Sequence, residues 1–412
     1  MLGTAYFTIC SANYLGYALT LAQSLRRIDP VRQLVVFLTD RLPADVAIAI
    51  PNVEIVPIER LPIDGLLDMA FRYSILEFNT AVKPRCFEYL LTSRGFSSAI
   101  YLDPDILVVN PLDHVHEALD RGASCIMTPH ITLGLDDGKR PSEDTFLTCG
   151  VFNLGFAAFS NAPEALSFLT WWGGKTRRDC VIALHRGIFT DQSYCDLAPC
   201  FIDRFVTLRH TGYNIAYWNL MQRRLAHEGG QLHVDGELAR FIHFSGIVPG
   251  SPSIFSKHQN RYSRSNIGPL KPVADSYVAD LNRADLYPGG RFSRLAYAFG
   301  TLNNGDPITD AMRSAYRKFA DELPAGLSPF DLDHTQFMEP DRQYPQFPGV
   351  VISRLYGALW EDRSDLRSLF DIHTRSGQCE FSAWATEPWP NPPRLSAMYQ
   401  AHVGRQGVVT TA

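Results

Sequence analysis

The chain has 412 residues, of which 46% are hydrophobic and 20% are charged. This composition is typical of a globular protein with a sizeable core, and it excludes a chain that is mainly disordered. The formal net charge of −5 argues against a nucleic-acid partner, because nucleic-acid-binding domains are usually basic. We expect two domains, since one domain typically holds about 100–200 residues.

The eight cysteines are scattered along the chain, and they include no C-x-x-C pair. This spacing argues against a disulfide framework or a structural zinc site, and it indicates a reducing compartment. The first residues lack the basic start and the cleavage site of a signal peptide, and no apolar run reaches about 18 residues. We therefore expect a cytoplasmic protein. Peripheral contact with the inner face of a membrane and oligomer formation stay open.

The N-terminal part of the chain alternates between apolar strands and amphipathic helices, which predicts an α/β domain with a mostly parallel central sheet. Residues 130–149 are rich in turn formers and predict a mobile loop that closes over a site. The predicted strands lie at 3–10, 34–40, 53–58, 97–109, 123–129, 151–159 and 241–246, and the predicted helices at 14–27, 79–93, 113–121 and 162–175.

The amino-acid composition of the chain changes near residue 268, beyond which Asp, Arg, Gly and Pro are frequent. A short helix is predicted there at 309–322, and a clearer one at 350–370, where apolar residues recur at helical spacing. The Pro-rich segment from 387 onward predicts a loosely ordered tail. We therefore place the first domain at 1–268 and a mainly helical C-terminal region at 269–412.

The motif Asp103-Pro104-Asp105 follows the apolar run at 99–102. In an extended backbone, residues two apart point to the same side, so both carboxylates are expected to project together beyond a strand's carboxyl end. Open α/β sheets bind ligands at that end. Two neighbouring carboxylates repel each other unless a cation neutralises them, and hard oxygen ligands suit Mg²⁺ or Mn²⁺. A simple turn opened by Asp-Pro is the alternative.

Polar residues follow the first predicted strand and begin the helix near 83. Tyr14 suits stacking on a nucleobase, and Thr8, Ser11 and Asn13 suit hydrogen bonds to it. A helix cap and a core tyrosine are the alternative. Lys83 lies where a cation and a helix N-terminus together favour phosphate, with a solvated surface lysine as the alternative.

Three residues suit contacts to a sugar. Asn153 is expected to donate to a sugar hydroxyl, since Gly155 nearby permits a close approach of the backbone. Asp191 and Gln192 offer a carboxylate and an amide, which suit carbohydrate hydroxyls or hold a reacting sugar. The alternatives are a turn-forming asparagine and a helix N-cap.

Further candidates lie between residues 241 and 264. Neutral imidazole is a common metal ligand, which makes His243 a candidate, although a buried core histidine is the alternative. The segment 256–264 holds Lys257 and Arg261 among further basic residues without an acid, a pattern that suits a diphosphate. A solvated basic loop is the alternative there.

In their order along the chain, these motifs resemble the GT-A-fold glycosyltransferases that use nucleotide sugars. The likeness is greatest to glycosyltransferase family 8, the glycogenin and lipopolysaccharide galactosyltransferase group, and it extends to a bacterial branch of such sequences. It spans about 1–265 and implies a GT-A fold, a mostly parallel sheet flanked by helices, followed by the helical C-terminal region. The matching segments are TICSANY, FNTAVKP, YLDPDI, FNLGF, TDQ and HFSG.

The resemblance also implies what these residues do. Asp103, Asp105 and His243 match the site of the metal, Mn²⁺ or Mg²⁺. Together with the motifs themselves, it assigns catalysis to Asn153, Asp191 and Gln192. It assigns donor binding to Thr8, Ser11, Asn13, Tyr14, Lys83, Asp103, Lys257 and Arg261.

The chain departs from the family pattern at two positions. The family has a lysine three residues after the glycine that corresponds to Gly246, but position 249 is proline, and Lys257 is the nearest substitute. Pro104 replaces the small residue usual between the two acids. Since proline fixes φ near −65°, it is expected to stiffen this loop without removing a carboxylate.

The implied reaction is metal-dependent transfer of a sugar from a nucleoside-diphosphate donor, expected to be a UDP-sugar, with retention of configuration. The leaving phosphate would take the acceptor proton, while Asp191 stabilises cationic character at the sugar or acts as a transient nucleophile. The acceptor is expected to be a carbohydrate, a lipid-linked glycan or a protein, as in the synthesis of cell-surface polysaccharide or lipopolysaccharide. The alternatives are an inactive carbohydrate- or nucleotide-binding module and a sugar-1-phosphate nucleotidyltransferase.

Overall fold

The computed structural model describes residues 2–43, 46 and 51–386, and the predicted tail from 387 onward lies outside these ranges. The chain divides into two units. Among the described residues, those of 2–64 and 75–297 form unit 1, and those of 65–74 and 298–386 form unit 2. No helix among the described residues is both long enough and apolar enough to cross a membrane.

All the strands belong to unit 1 within the described ranges. They are β1 (Leu2–Cys10), β2 (Leu34–Leu38), β3 (Val53–Pro57), β4 (Phe96–Leu102), β5 (Ile106–Val108), β6 (Cys125–Pro129), β7 (Phe152–Ser160), β8 (Ile182–Ala183), β9 (Ile188–Phe189), β10 (Phe205–Thr207), β11 (Leu225–Glu228), β12 (Gln231–Val234), β13 (Glu237–Leu238), β14 (Phe241–His243), β15 (Leu286–Tyr287) and β16 (Gly290–Arg291).

The helices belong to both units. They are α1 (Leu15–Ile28), α2 (Leu66–Arg72), α3 (Ile75–Ala81), α4 (Lys83–Glu88), α5 (Asp113–Asp120), α6 (Glu143–Cys149), α7 (Pro163–Thr176), α8 (Gln192–Cys195), α9 (Ala198–Phe201), α10 (Lys271–Ala284), α11 (Asp310–Phe319), α12 (His334–Met338), α13 (Arg354–Asp362), α14 (Ser364–Leu369) and α15 (Arg375–Thr386). Helices α2 and α11–α15 lie in unit 2.

The central sheet of unit 1 has seven strands in the order β10-β6-β7-β4-β1-β2-β3. The pairs β1–β2, β1–β4, β2–β3 and β6–β10 are parallel, whereas β7 runs antiparallel to both of its neighbours. The α/β class with a mostly parallel sheet, flanking helices and a helical C-terminal part is therefore confirmed. The change of direction at β7 brings its first residues beside the carboxyl end of β4.

The middle of the sheet is buried because its strands consist mostly of β-branched and aromatic residues. The ring of Phe7 in β1 lies 4.7 Å from that of Phe87 in α4 and 5.7 Å from that of Phe37 in β2, both edge-on. Helix α1 covers part of this sheet with Leu15 and Leu21, which are both fully buried. Removing a phenylalanine from such a core typically costs about 3–5 kcal/mol.

The predicted strand 97–109 is in fact two strands that belong to different sheets. After β4 ends, the Asp-Pro-Asp segment turns the chain, and β5 pairs antiparallel with β14. In that pairing His243 lies opposite Ile106. The pairing of β5 with β14 therefore places His243 beside the two aspartates that follow β4.

The predicted domain boundary near 268 lies inside unit 1, because α10 packs against α1. The carboxylate of Asp280 in α10 forms an ion pair with the guanidinium of Arg27 in α1, at a distance of 2.9 Å. The assignment of catalysis to residues 1–268 stays a prediction. The predicted helix 350–370 is interrupted at Arg363, which separates α13 from α14.

Arg313 of α11 ties the short segment 65–74 into unit 2. Its guanidinium is 5% exposed and donates to the carbonyl oxygens of Ala70 at 3.0 Å, Phe71 at 2.6 Å and Phe299 at 3.0 Å. Buried carbonyls that lose such donors cost free energy, because neither water nor another group replaces the bond.

We predict that Arg313→Met lowers the free energy of unfolding of unit 2 by at least about 3 kcal/mol, since it removes three hydrogen bonds and those to charged groups contribute about 1.5–3 kcal/mol each. Urea unfolding followed by circular dichroism measures this loss. The exposed Arg342→Met is the control and should change stability by less than about 0.5 kcal/mol. Equal effects of the two variants would contradict this role of Arg313.

Candidate active site

A cavity of about 510 Å³ opens where β1 and β4 end and antiparallel β7 begins. Ligands of open α/β sheets bind at this edge. The lining brings together most of the site residues predicted from the sequence: Asn13, Tyr14, Lys83, Asp103, Asp105, Asn153, Asp191, Gln192, His243 and Lys257. Of the other predicted residues, Thr8, Ser11 and Arg261 are not part of the lining.

Asp103, Asp105 and His243 form a cluster in which one ligand atom from each lies within 4.8 Å of the others. The Nε2 atom of His243 lies 3.0 Å from Oδ1 of Asp105 and 3.5 Å from Oδ2 of Asp103. Two hard carboxylate oxygens and one imidazole nitrogen suit Mn²⁺ or Mg²⁺. The residues present therefore fit the metal that the family resemblance implies.

Backbone and side-chain bonds hold the cluster in place. The backbone N–H of Asp103 donates to the carbonyl of Gly155 at 2.7 Å, and the hydroxyl of Tyr101 donates to Oδ1 of Asp103 at 2.5 Å. The carbonyl of Asp105 accepts from the N–H of Phe244 at 3.0 Å. Both acids are thus fixed by backbone hydrogen bonds to neighbouring segments, and Tyr101 is a site residue that the sequence analysis missed.

The electrostatics of the cluster favour a cation. Burial acts to lower the pKa of His243, but the carboxylates of Asp105 and Asp103 outweigh it, so this pKa is raised. Burial raises the pKa of Asp103, against the opposing effect of the Lys83 ammonium. Both pKa shifts mark a site where negative charge is unfavourable, and a divalent cation would neutralise that charge.

The far side of His243 contacts Asn153. Nδ1 of His243 lies 3.1 Å from Oδ1 of Asn153, whose Nδ2 lies 3.3 Å from Nε2 of His130. Gly155 makes room for this contact, because a Cβ atom there would lie 2.3 Å from Cε1 of His243. Burial lowers the pKa of His130 to about 4, which leaves its ring neutral at physiological pH.

Lys83 and Asp191 form a buried ion pair in the wall of the cavity. Nζ of Lys83 lies 2.9 Å from Oδ2 of Asp191 and donates to the carbonyl of Leu154 at 3.1 Å. Burial acts to lower the pKa of Lys83, but the Asp191 and Asp103 carboxylates outweigh it and raise this pKa. The ammonium also lies 4.5 Å from the centroid of the Tyr101 ring. Lys83 is therefore not a solvated surface lysine.

The segment around Asp191 is held in a strained conformation. Thr190 has φ of 51°, which is rare for a β-branched residue and typically costs about 1–3 kcal/mol. The amide of Gln192 accepts from the N–H of Leu154 at 3.0 Å and donates to the carbonyl of Cys149 at 2.6 Å. Gln192 thus fastens the start of β7 beside the cavity, and its other predicted role in catalysis stays a prediction.

The loop after β1 lies along the cavity with Asn13 and Tyr14 in the lining. The Tyr14 ring is 40% exposed and stacks on Tyr17, with 4.7 Å between ring centroids. Ser11 donates to Oδ1 of Asn13 at 2.5 Å and so orients the asparagine. Thr8 is fully buried, and its hydroxyl has no hydrogen-bond partner among the described residues.

The two site residues predicted in the basic segment 256–264 lie in different environments. Lys257 is exposed and lines the cavity. Arg261 is buried and forms two hydrogen bonds with Asp137, at 2.6 and 2.7 Å. Arg261 therefore fastens the loop 130–149, and its predicted contact with a diphosphate has no support from this placement. Helix α6 ends that loop, which is thus partly helical.

Sequence reasoning missed further residues that support the site. His130 contacts Asn153, and the Trp218 ring lies edge-on to His243 with 5.3 Å between centroids. Oδ2 of Asp40 accepts from the N–H of Ala12 at 3.1 Å and holds the loop after β1. Trp218 lies in GYNIAYWN, a segment that also resembles the bacterial branch, and this likeness was a usable signal.

Sequence comparison relates the chain only distantly to known proteins. No family model matches it. An uncharacterized protein of Bacillus subtilis is 28% identical over 105 residues, which cover 24% of this chain and 32% of that protein.

Structural comparison finds glycosyltransferases among similar solved structures. Galactosyltransferase LgtC, in complex with donor and acceptor sugar analogs, has 14% identity and a TM-score of 0.41, over 69% of this chain and 97% of its own. Glycosyltransferase GlyE of Streptococcus pneumoniae has 14% identity and a TM-score of 0.39, over 69% of this chain and 63% of its own. Mouse xyloside xylosyltransferase 1 has 13% identity and a TM-score of 0.36, over 59% and 97%. At this distance, the function of the chain has to be argued from its own site residues.

We predict that Gly155→Ala displaces the His243 ring, since the new Cβ would lie 2.3 Å from it. The free energy of unfolding should fall by about 1–3 kcal/mol, and the affinity for Mn²⁺ by at least about 10-fold. Calorimetric titration with Mn²⁺ and urea unfolding measure the two effects.

The matched control is Gly174→Ala, where an added Cβ has nothing within 4 Å. That change should keep the Mn²⁺ affinity and stabilise helix α7 by about 0.5–1 kcal/mol. Unchanged Mn²⁺ binding in Gly155→Ala would mean that His243 does not need this close packing.

Proposed function

We propose that this chain is a metal-dependent glycosyltransferase that moves a sugar from a nucleoside-diphosphate donor, with UDP as the expected nucleotide, to an acceptor hydroxyl. The observation that carries the proposal is the Asp103–Asp105–His243 cluster, which opens into one cavity with Tyr14 and with the Lys83–Asp191 pair. Neither a turn nor a core histidine accounts for two carboxylates converging on an imidazole that faces a cavity.

The nucleotide end of the donor is assigned to the loop after β1. The exposed face of Tyr14 suits stacking on a base, and Asn13, oriented by Ser11, offers an amide to the base edge. This assignment rests on residue chemistry. The base itself, uracil, is expected from the family resemblance.

The diphosphate is assigned to the metal cluster and to Lys257. A bound divalent cation would supply charge stabilisation for the diphosphate as it leaves. Lys257 lines the same cavity and adds a positive charge. It takes the place of the family lysine that Pro249 replaces.

Asp191 is assigned to the reacting sugar. The ion pair with Lys83 and the buried position keep its carboxylate in one orientation beside the cavity. A fixed carboxylate stabilises positive charge that develops at the anomeric carbon, and Asp103 and Asp105 are committed to the cation. Retention through front-face attack, with the leaving phosphate taking the acceptor proton, needs no further carboxylate as base.

The acceptor is proposed to be a carbohydrate, a lipid-linked glycan or a protein hydroxyl, as in the synthesis of cell-surface polysaccharide. An inactive binding module is the competing hypothesis. Nucleotide-sugar turnover separates the two, because a binding module would take up UDP without consuming a UDP-sugar.

We predict that UDP raises the thermal unfolding midpoint of the wild type by a few degrees only when Mn²⁺ is present. A ligand at 100 times its Kd adds about 2.7 kcal/mol to stability, and that corresponds to a shift of a few degrees in a chain this long. Asp105→Ala should abolish the shift, since it removes one of the two carboxylates of the cluster.

Asp120→Ala is the control, because this exposed aspartate ends α5 and does not line the cavity. It should keep the full shift with UDP and Mn²⁺. A metal-independent shift, or one that survives Asp105→Ala, would contradict the metal cluster as the donor site. If UDP, GDP and dTDP all leave the midpoint unchanged, the proposed donor is wrong.

We predict that the sugar product keeps the anomeric configuration of the donor, as NMR of the earliest product would record. Asp191→Asn should lower kcat by roughly 10³-fold or more if the carboxylate acts on the reacting carbon, with a smaller change in KM. An inverted product would rule out the proposed route, and a rise in KM alone would make Asp191 a binding residue.

A further inference from the structure

Asn153 lies between two buried histidines and touches both. Its Oδ1 is 3.1 Å from Nδ1 of His243, and its Nδ2 is 3.3 Å from Nε2 of His130. The side chain is only 8% exposed, although it reaches the cavity lining. The amide therefore has two fixed partners before any ligand enters the cavity.

Chemistry decides the direction of the bond to His243. Nε2 of that ring faces the carboxylates of Asp103 and Asp105, and as a metal ligand it must present its lone pair. A neutral ring of this kind carries its hydrogen on Nδ1, and so does the imidazolium ion. In both states Nδ1–H donates, and the acceptor it needs is Oδ1 of Asn153.

His130 contacts the other side of the amide. Because Oδ1 faces His243, the NH₂ group faces Nε2 of His130, which must then accept. A neutral ring can accept there. The backbone of His130 is held in turn, since its carbonyl accepts from Nδ2 of Asn219 at 3.2 Å and its ring stacks 5.0 Å from that of Phe146.

We infer that Asn153 is a positioning residue for the metal cluster: its amide, oriented by His130, holds His243 in the Nδ1–H form and keeps Nε2 open toward Asp103 and Asp105. This inference rests on the proposed function for the metal, and it differs from the direct sugar contact predicted for Asn153 from the sequence. Partners that orient a ligating histidine typically change metal affinity by about 10–100-fold when they are lost.

The first test compares Mn²⁺ affinities by electron paramagnetic resonance titration. Asn153→Leu keeps the approximate shape but offers no acceptor, so we expect about 10–100-fold weaker binding. Asn153→Asp restores an acceptor for Nδ1–H, and a carboxylate commonly fills this role, so binding should return to within a few-fold of the wild type. A merely structural role would make the two variants similarly weak.

The matched control is Asn110→Leu, which removes a second buried asparagine with the same 8% exposure. Its amide bonds to the carbonyl of Ala239 and to Gln231 and does not touch His243. This variant should keep the wild-type Mn²⁺ affinity. Circular dichroism melting of each variant separates loss of the metal site from loss of the fold.

The second test reads the tautomer directly. Nitrogen-15 NMR of histidine-labelled protein, at alkaline pH and at a Mg²⁺ concentration just above the wild-type Kd, reports which ring nitrogen carries the hydrogen, and the His243 signals are assigned by their absence in His243→Gln. The wild type and Asn153→Asp should show Nδ1–H, whereas Asn153→Leu, which binds the cation more weakly, should show Nε2–H donated to the carboxylate of Asp105.

The outcomes separate the two proposals. If the wild type binds neither Mn²⁺ nor Mg²⁺, the proposed metal-dependent function fails and Asn153 has no metal ligand to position. If Mn²⁺ binds but Asn153→Leu matches the wild type in affinity and in tautomer, the inference about Asn153 is wrong. Equal losses in Asn153→Leu and Asn153→Asp would also overturn it.

Discussion

Two carboxylates and an imidazole converge within 4.8 Å at the end of β4, and their mutual charge is the constraint around which the site is organised. Like charges at this distance oppose folding unless a cation or a proton neutralises them. The carboxylates of Asp105 and Asp103 raise the pKa of His243 against the effect of burial, and burial raises the pKa of Asp103. A site that keeps such repulsion is suited to bind a divalent cation.

Specific contacts from the surrounding fold hold the three residues of the cluster close together despite this repulsion. Antiparallel β7 places Gly155 beside Asp103, and the absent side chain of that glycine leaves space for the His243 ring. The small ribbon of β5 and β14 brings His243 from far along the chain to the same point. In the wall of the same cavity, Lys83 pairs with Asp191 and adds positive charge near Asp103. Each element is fixed by neighbours outside the cavity, so the site is largely formed before a ligand arrives.

The sequence predicted the parts of this arrangement that depend on local pattern. The alternation of apolar strands and helices was enough for the α/β class, and ordered motifs brought Asp103, Asp105 and His243 together as a group. Contacts between segments that are distant in the chain could not be predicted, because no local sequence pattern encodes them. The pairing of Arg261 with Asp137 and the bridging of His243 and His130 by Asn153 depend on the tertiary fold. The packing of α10 on α1 likewise became visible only in the folded chain.

The most direct measurement is electron–nuclear double resonance of Mn²⁺ bound to the wild-type protein together with UDP. We expect coupling of the manganese to a histidine nitrogen and to phosphorus of the diphosphate in the same complex, with the nitrogen coupling lost in His243→Gln. Manganese that shows phosphorus coupling without any nitrogen, or solvent protons alone, would contradict a donor site built on Asp103, Asp105 and His243.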